Sequence, residues 1–162
     1  MARVKAEIKG IDQLLLKFDK IRDIDLTKKV NKATALVHGQ AKLLAPVDTG
    51  NLAGSIRMDV KKTKKQIQGR VYTNLEYAPY VEFGTGIKGN GTYPHKIKGL
   101  NLTYKDKGWA FWDEKEEKFI YTKGQVAQPY MYPALKRSTK QVKAIMSTGV
   151  KETLKEICKG GQ

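Results

Sequence analysis

The stretch Ala41-Lys42-Leu43-Leu44-Ala45-Pro46-Val47-Asp48-Thr49-Gly50-Asn51-Leu52 changes character halfway along. Its first residues close an apolar stripe at steps of three and four (Leu26, Val30, Ala33, Val37, Ala41, Leu44) that predicts an amphipathic helix of about twenty residues. Pro46 must end that helix, because proline offers no N–H and disfavours helix in the residue before it. Pro46, Asp48, Thr49 and Gly50 then read as a structural turn, with the Asp and Thr side chains bonding nearby amides and Gly50 free to take a positive φ. Beyond it, Ser55 to Val60 alternates, with Ile56, Met58 and Val60 on one face. Ile67 to Tyr72 returns across a basic tip at Lys61 to Lys65, which predicts a hairpin.

Upstream, Val4 to Ile8 alternates like a short strand, and Ile11, Leu14, Leu15, Phe18 and Ile21 recur at helical spacing. Downstream, Asn74 to Phe83 is crowded with Leu75, Tyr77, Tyr80, Val81 and Phe83 and reads as a short helix or tight bend, with Pro79 acceptable only in a first turn. Residues 84–127 form an insert of different texture, punctuated by Gly84, Gly86, Gly89, Gly91, Gly99, Gly108 and Gly124. Within it, Trp109 to Trp112 and Lys118 to Tyr121 are expected to pair around the charged turn Asp113 to Glu117. After an extended aromatic segment, Gln128 to Pro133, a long amphipathic helix runs from Pro133 through Ile145, Val150 and Ile157. The expected fold is α+β: one domain over 1–162, with a small antiparallel sheet of the two strands plus insert strands packed on two long helices.

A chain of 162 residues buries a real core, roughly two thirds of its unfolded surface. The net charge of +15 invites a nucleic-acid reading, but the basic residues are overwhelmingly lysine, with arginine only at 3, 22, 57, 70 and 137. Bidentate base readout favours arginine. The charge therefore fits a solvated lysine surface, or diffuse attraction to phosphates, better than sequence-specific DNA binding. The single Cys158 forms no intrachain disulfide, and no secretory signal or membrane span is legible. His38 and His95, the only histidines, lack partners at zinc-ligand spacing. No P-loop or nucleophile elbow is present, and the carboxylates at 113, 114, 116 and 117 alternate with lysines as in a solvated tip. Neither an enzyme nor a cofactor or metal is implied.

Three stretches carry a resemblance: Ala41 to Leu52 followed by Ser55-Ile56; Tyr77-Ala78-Pro79-Tyr80-Val81-Glu82-Phe83-Gly84-Thr85; and Gln128-Pro129-Tyr130-Met131-Tyr132-Pro133-Ala134-Leu135. In this order, from Leu26 to about Ile157, they look like the phage tail-component family often called gene-product-ten-like. Its members are linked with head–tail joining and tail completion in long-tailed phages and prophages. The insert is longer than such proteins commonly have. The resemblance implies a virion structural protein of the neck or upper tail, made in the host cytoplasm. It would be a homo-oligomeric ring, a hexamer by tail symmetry, touching neighbouring neck and tail-tube proteins, open to non-specific contact with passing DNA, with no membrane. Closed rings need head-to-tail interfaces. The interface residues expected on aromatic character are Tyr77, Tyr80, Phe83, Trp109, Trp112, Tyr130, Met131 and Tyr132, though buried aromatics equally close cores.

Overall fold

The structure is a computed structural model that describes residues 16, 19, 21, 24–47, 50–97 and 99–159. The expected strand at Val4 to Ile8 and helix at Ile11 to Ile21 lie essentially outside the described residues, as do Asp48 and Thr49 of the turn.

Helix α1 spans Thr27–Leu44. It starts where Asp25 accepts from the Thr27 backbone N–H at 2.8 Å and from the Thr27 hydroxyl at 2.5 Å, which holds one of the amides a helix start leaves free. It stops as expected, with Ala45 extended ahead of Pro46 and its N–H still bonded to the Ala41 carbonyl. Gly50 takes φ 76°, and a short helix α2, Asn51–Ser55, follows where alternation suggested turn and strand. Strand β1 therefore begins later than its sequence pattern, at Arg57–Lys62, and pairs antiparallel with β2, Ile67–Tyr72, in the register Arg57↔Tyr72 to Lys62↔Ile67. The early residues are diverted because Ser55 bonds back to the Leu52 carbonyl at 2.7 Å, a local bond that closes a helical turn.

Helix α3, Ala78–Phe83, carries Pro79 in its first turn and ends at Gly84, φ 77°. A single helical turn, α4, covers Gly86–Gly89. Strands β3, Trp109–Asp113, and β4, Lys118–Thr122, pair as the sequence suggested, from Trp109↔Thr122 to Asp113↔Lys118. Helix α5 occupies Met131–Lys159. The architecture is α+β, but β3 and β4 do not extend the β1–β2 sheet: among the described residues there are two separate two-stranded sheets. Backbone bonds between Thr85 and Gln125, 2.9 and 3.1 Å, pinch the insert at its base. That closed neck holds the β3–β4 hairpin away from the helices.

The body is α1 packed on α5, with the β1–β2 hairpin and α2 also against α1. Its core is built largely from small residues: Ala41, Ala45, Leu52, Ile56, Ala78 and Ala134 surround the buried Tyr130. Alanine at these positions lets backbones approach closely around one large ring. On α5, Gly149 is buried against the aliphatic stem of Lys29, whose ammonium reaches Glu152 at 2.6 Å. The glycine that weakens the middle of the helix by about 1 kcal/mol is thus the residue that admits α1. His38 Nε2 donates to the Ile56 carbonyl at 3.0 Å, which ties α1 to the start of the first hairpin.

Gly69 on β2 faces the buried Thr34 of α1, and a Cβ there would collide with the threonine hydroxyl. Gly69→Ala is expected to cost about 1–3 kcal/mol, the usual range for overpacking. In urea unfolding, the double variant Gly69→Ala/Thr34→Ala should recover most of that loss. Equal midpoints for Gly69→Ala and the parent would refute this packing.

Candidate functional site

The second and third motif stretches meet at one side chain. Glu82, on α3, is 5 % exposed. Its Oε2 accepts from the backbone N–H of Tyr130 at 2.7 Å and of Met131 at 2.9 Å, and its Oε1 from that of Tyr132 at 3.2 Å. The Tyr93 hydroxyl also donates to Oε1, at 3.4 Å. These amides belong to the residue just before α5 and to its first turn, where a helix has free donors and a positive dipole end. Pro133 has no N–H to satisfy, and the Ala134 N–H already bonds the Tyr130 carbonyl at 3.1 Å. The accounting at this helix start is complete: one carboxylate 48 residues upstream of the first donor, plus a proline, satisfies every amide. A buried carboxylate with these charge-assisted bonds is a strong positional lock.

Around the lock the aromatics form a chain. Phe83 meets Tyr93 edge-on at 5.0 Å, Tyr93 meets His95 at 5.6 Å, and His95 meets Tyr132 at 4.7 Å. The Tyr104 hydroxyl donates to the Phe83 carbonyl at 2.9 Å. Burial pushes the Tyr130 hydroxyl up to about 12, with the nearby Glu82 charge adding to it. Burial raises Tyr93 as well, again reinforced by Glu82.

The expected interface residues divide. Tyr130 is 1 % exposed and belongs to the core, which corrects its reading as a contact residue: its ring fills the space between small side chains. Phe83, Trp109, Met131 and Tyr132 are half-buried. Tyr77, Tyr80 and Trp112 are exposed. Trp109 sits beneath Lys105, whose Nζ lies 5.0 Å from its ring centre. Pro46 and Gly50 of the turn face Tyr77 and Val81 across a cavity of about 460 Å³, so the first and second motifs also adjoin. Sequence reading missed Glu82, since a lone glutamate in an aromatic run carries no local sign that it caps a distant helix. It also missed the exposure of Phe111, Phe119, Tyr121 and Leu135.

The arrangement fixes the start of α5. Among the described residues no group of three or more His, Cys, Asp or Glu side chains could hold a metal ion. Among them, too, no helix is long and apolar enough to cross a membrane. Glu82 is saturated by backbone donors. Residues 11–84, a little under half of the chain, match the family described as "Bacteriophage HK97-gp10, putative tail-component", the family that the motifs resemble. The match holds the first motif stretch and all of the second but Thr85, and ends at Gly84, where the insert begins; the third stretch lies beyond it. No curated protein and no solved structure matches the chain significantly.

Glu82→Ala leaves buried amides without an acceptor and should lower stability by about 3 kcal/mol; Glu82→Gln, which keeps one acceptor oxygen, should cost about half of that. Chemical denaturation of the three proteins checks the order. Alkali gives a second test. Tyr130 is held above its unfolded value of about 10, so the unfolded chain releases that proton first and stability should fall as pH rises from about 10 towards 12. Titration at 295 nm should show a late-ionising class among the 8 tyrosines, joining the rest on unfolding.

Proposed function

We propose that this chain is a non-enzymatic subunit of an oligomeric ring in the neck or upper tail of a long-tailed phage or prophage, where it joins or completes the tail. The observation that carries the reading is apolar surface set out on a locked frame. Tyr77 and Tyr80 beside the Glu82 lock, Leu135 on α5, and Phe111, Trp112, Phe119 and Tyr121 on the second hairpin all stand between 42 % and 74 % exposed. Aromatic surface of this kind is what subunit interfaces bury, and the tail-component family supplies the setting. A closed ring with head-to-tail contacts is the symmetry that a tail tube with a DNA channel needs. Its neighbours would be neck and tail-tube proteins, and tail symmetry would make it a hexamer.

A second reading has its own observation. The tip of the first hairpin exposes Lys61, Lys64 and Lys65, with Lys62 paired to Asp25 at 2.7 Å. Such a tip suits loose contact with phosphates. Binding to duplex DNA by the isolated protein, falling steeply with salt, would favour that reading.

Deleting the gene from an inducible prophage should leave filled heads and separate tails in the lysate, restored to whole particles by the gene in trans. Gold-labelled antibody on normal particles should mark the head–tail junction. Label on the capsid surface or the distal tail tip would overturn the proposal.

A further inference from the structure

The β3–β4 hairpin has one side made of Ala110, Trp112, Phe119 and Tyr121, because directly paired residues share a face and alternate along a strand. All of these are exposed, with Trp112 and Phe119 in edge-on contact at 5.2 Å. The hairpin packs substantially on neither α1 nor α5. Its turn, Asp113 to Lys118, carries four carboxylates against two lysines, a local charge of −2 in a chain of +15.

Elsewhere on the same molecule lies a surface of opposite form. An apolar groove of about 690 Å³ runs between α1, β2 and α5, lined by Val30, Val37, Val71, Phe83, Leu135 and Met146 among others. That volume lies within the range that swallows a sizeable apolar group. Its charged lining residues are Arg70 and the saturated Glu82, and the two helices that flank it are rich in lysine. Helix α1 bears Lys28, Lys29, Lys32 and Lys42 and no acidic residue. Every charged residue of α5 before Glu152 is basic: Lys136, Arg137, Lys140, Lys143 and Lys151. Lys136 stands at the rim, its Nζ 5.6 Å from the ring centre of Tyr132, which lines the groove.

We infer that the β3–β4 hairpin of one copy docks in the α1–β2–α5 groove of the next, with Trp112, Phe119 and Tyr121 in the groove and the acidic turn against the basic wall of α5. The inference rests on the ring reading and names the contact that builds the ring. A knob and a hole on separate parts of one chain make a head-to-tail contact, the kind that propagates round a ring. The charges fix direction: the acidic turn is attracted to the lysine wall, whereas two grooves, or the first hairpin's lysine tip and a groove, repel.

The test uses the full-length chain by light scattering across concentration. The parent should associate. Trp112→Ala/Phe119→Ala lacks the knob, and Leu135→Glu spoils the groove at an exposed position; each should be monomeric at concentrations where the parent assembles, with unchanged circular dichroism. Mixed together they hold one intact knob and one intact groove, and should form a one-to-one dimer that grows no further. If either variant misfolds, Glu116→Lys/Glu117→Lys on the exposed turn replaces it, and should weaken association about tenfold at low salt and less at high salt. A parent that associates while the variants do so equally, or a variant mixture that stays monomeric, overturns the docking contact and leaves the ring reading standing. A parent that is monomeric up to its solubility limit overturns both.

Discussion

The frame hangs on a nearly buried carboxylate that backbone amides hold, with no ion pair to it among the described residues. Glu82 is buried with its negative charge against the start of the longest helix in the described chain, and the backbone amides of Tyr130, Met131 and Tyr132 neutralise it. A buried carboxylate without partners would be costly; a helix start without acceptors would be costly too. Each removes the other's penalty. Because α3 is only six residues long and α5 is 29, the short element fixes where the long one begins and hence how it lies on α1. The pairing also gives a physical reason for the glutamate beside the aromatic–glycine bend and for the proline–aromatic entry to the last helix to occur in the same chain. They are two halves of one cap.

Gly84 shows how the insert is accommodated without disturbing that cap. Its φ of 77° turns the chain away as α3 ends, and a Cβ there would strike the backbone of Gln125, Ala127 and Gly89. Backbone cannot move aside as a side-chain tip can. So the chain leaves the body at Thr85, returns at Gln125, and bonds to itself at the crossing before Gln128 N–H reaches the Val81 carbonyl at 2.8 Å. Between those points the segment around Tyr93, His95 and Tyr104 still packs on the body, whereas the β3–β4 hairpin stands off from the helices. The β3–β4 hairpin can change in length or surface with little effect on the lock, which is consistent with the family match ending at Gly84, before that hairpin.

The parts legible in the sequence are those governed by local rules. Apolar spacing placed α1 and α5, alternation placed β2, and turn chemistry between aromatic runs placed the second hairpin within a residue of its observed strand bounds. Proline and glycine marked the ends of α1 and α3. What was not legible depended on distance along the chain. The cap of α5 comes from Glu82, 48 residues upstream of Tyr130, and nothing near either residue announces the other. The pairing of strands into two sheets rather than one depends on the pinch at Thr85 and Gln125. Tyr130 and Tyr132 are two residues apart in one aromatic run, yet one fills the core and the other lines the groove; only the direction of α5 decides which.

The positive charge can now be seen as uneven. The lysines of α1 and α5 lie along the two helices that flank the apolar groove, while the carboxylates of the second hairpin stand on a segment held off from the body. A charge serving only solubility has no need of that separation. A surface that must accept one partner in one direction does, because like charges placed against wrong approaches are as useful as attraction at the right one. The same separation bears on the DNA reading: a neighbour's turn of charge −2 would offset only part of the basic charge on α1 and α5, so those helices and the first hairpin's tip would all stay basic after assembly.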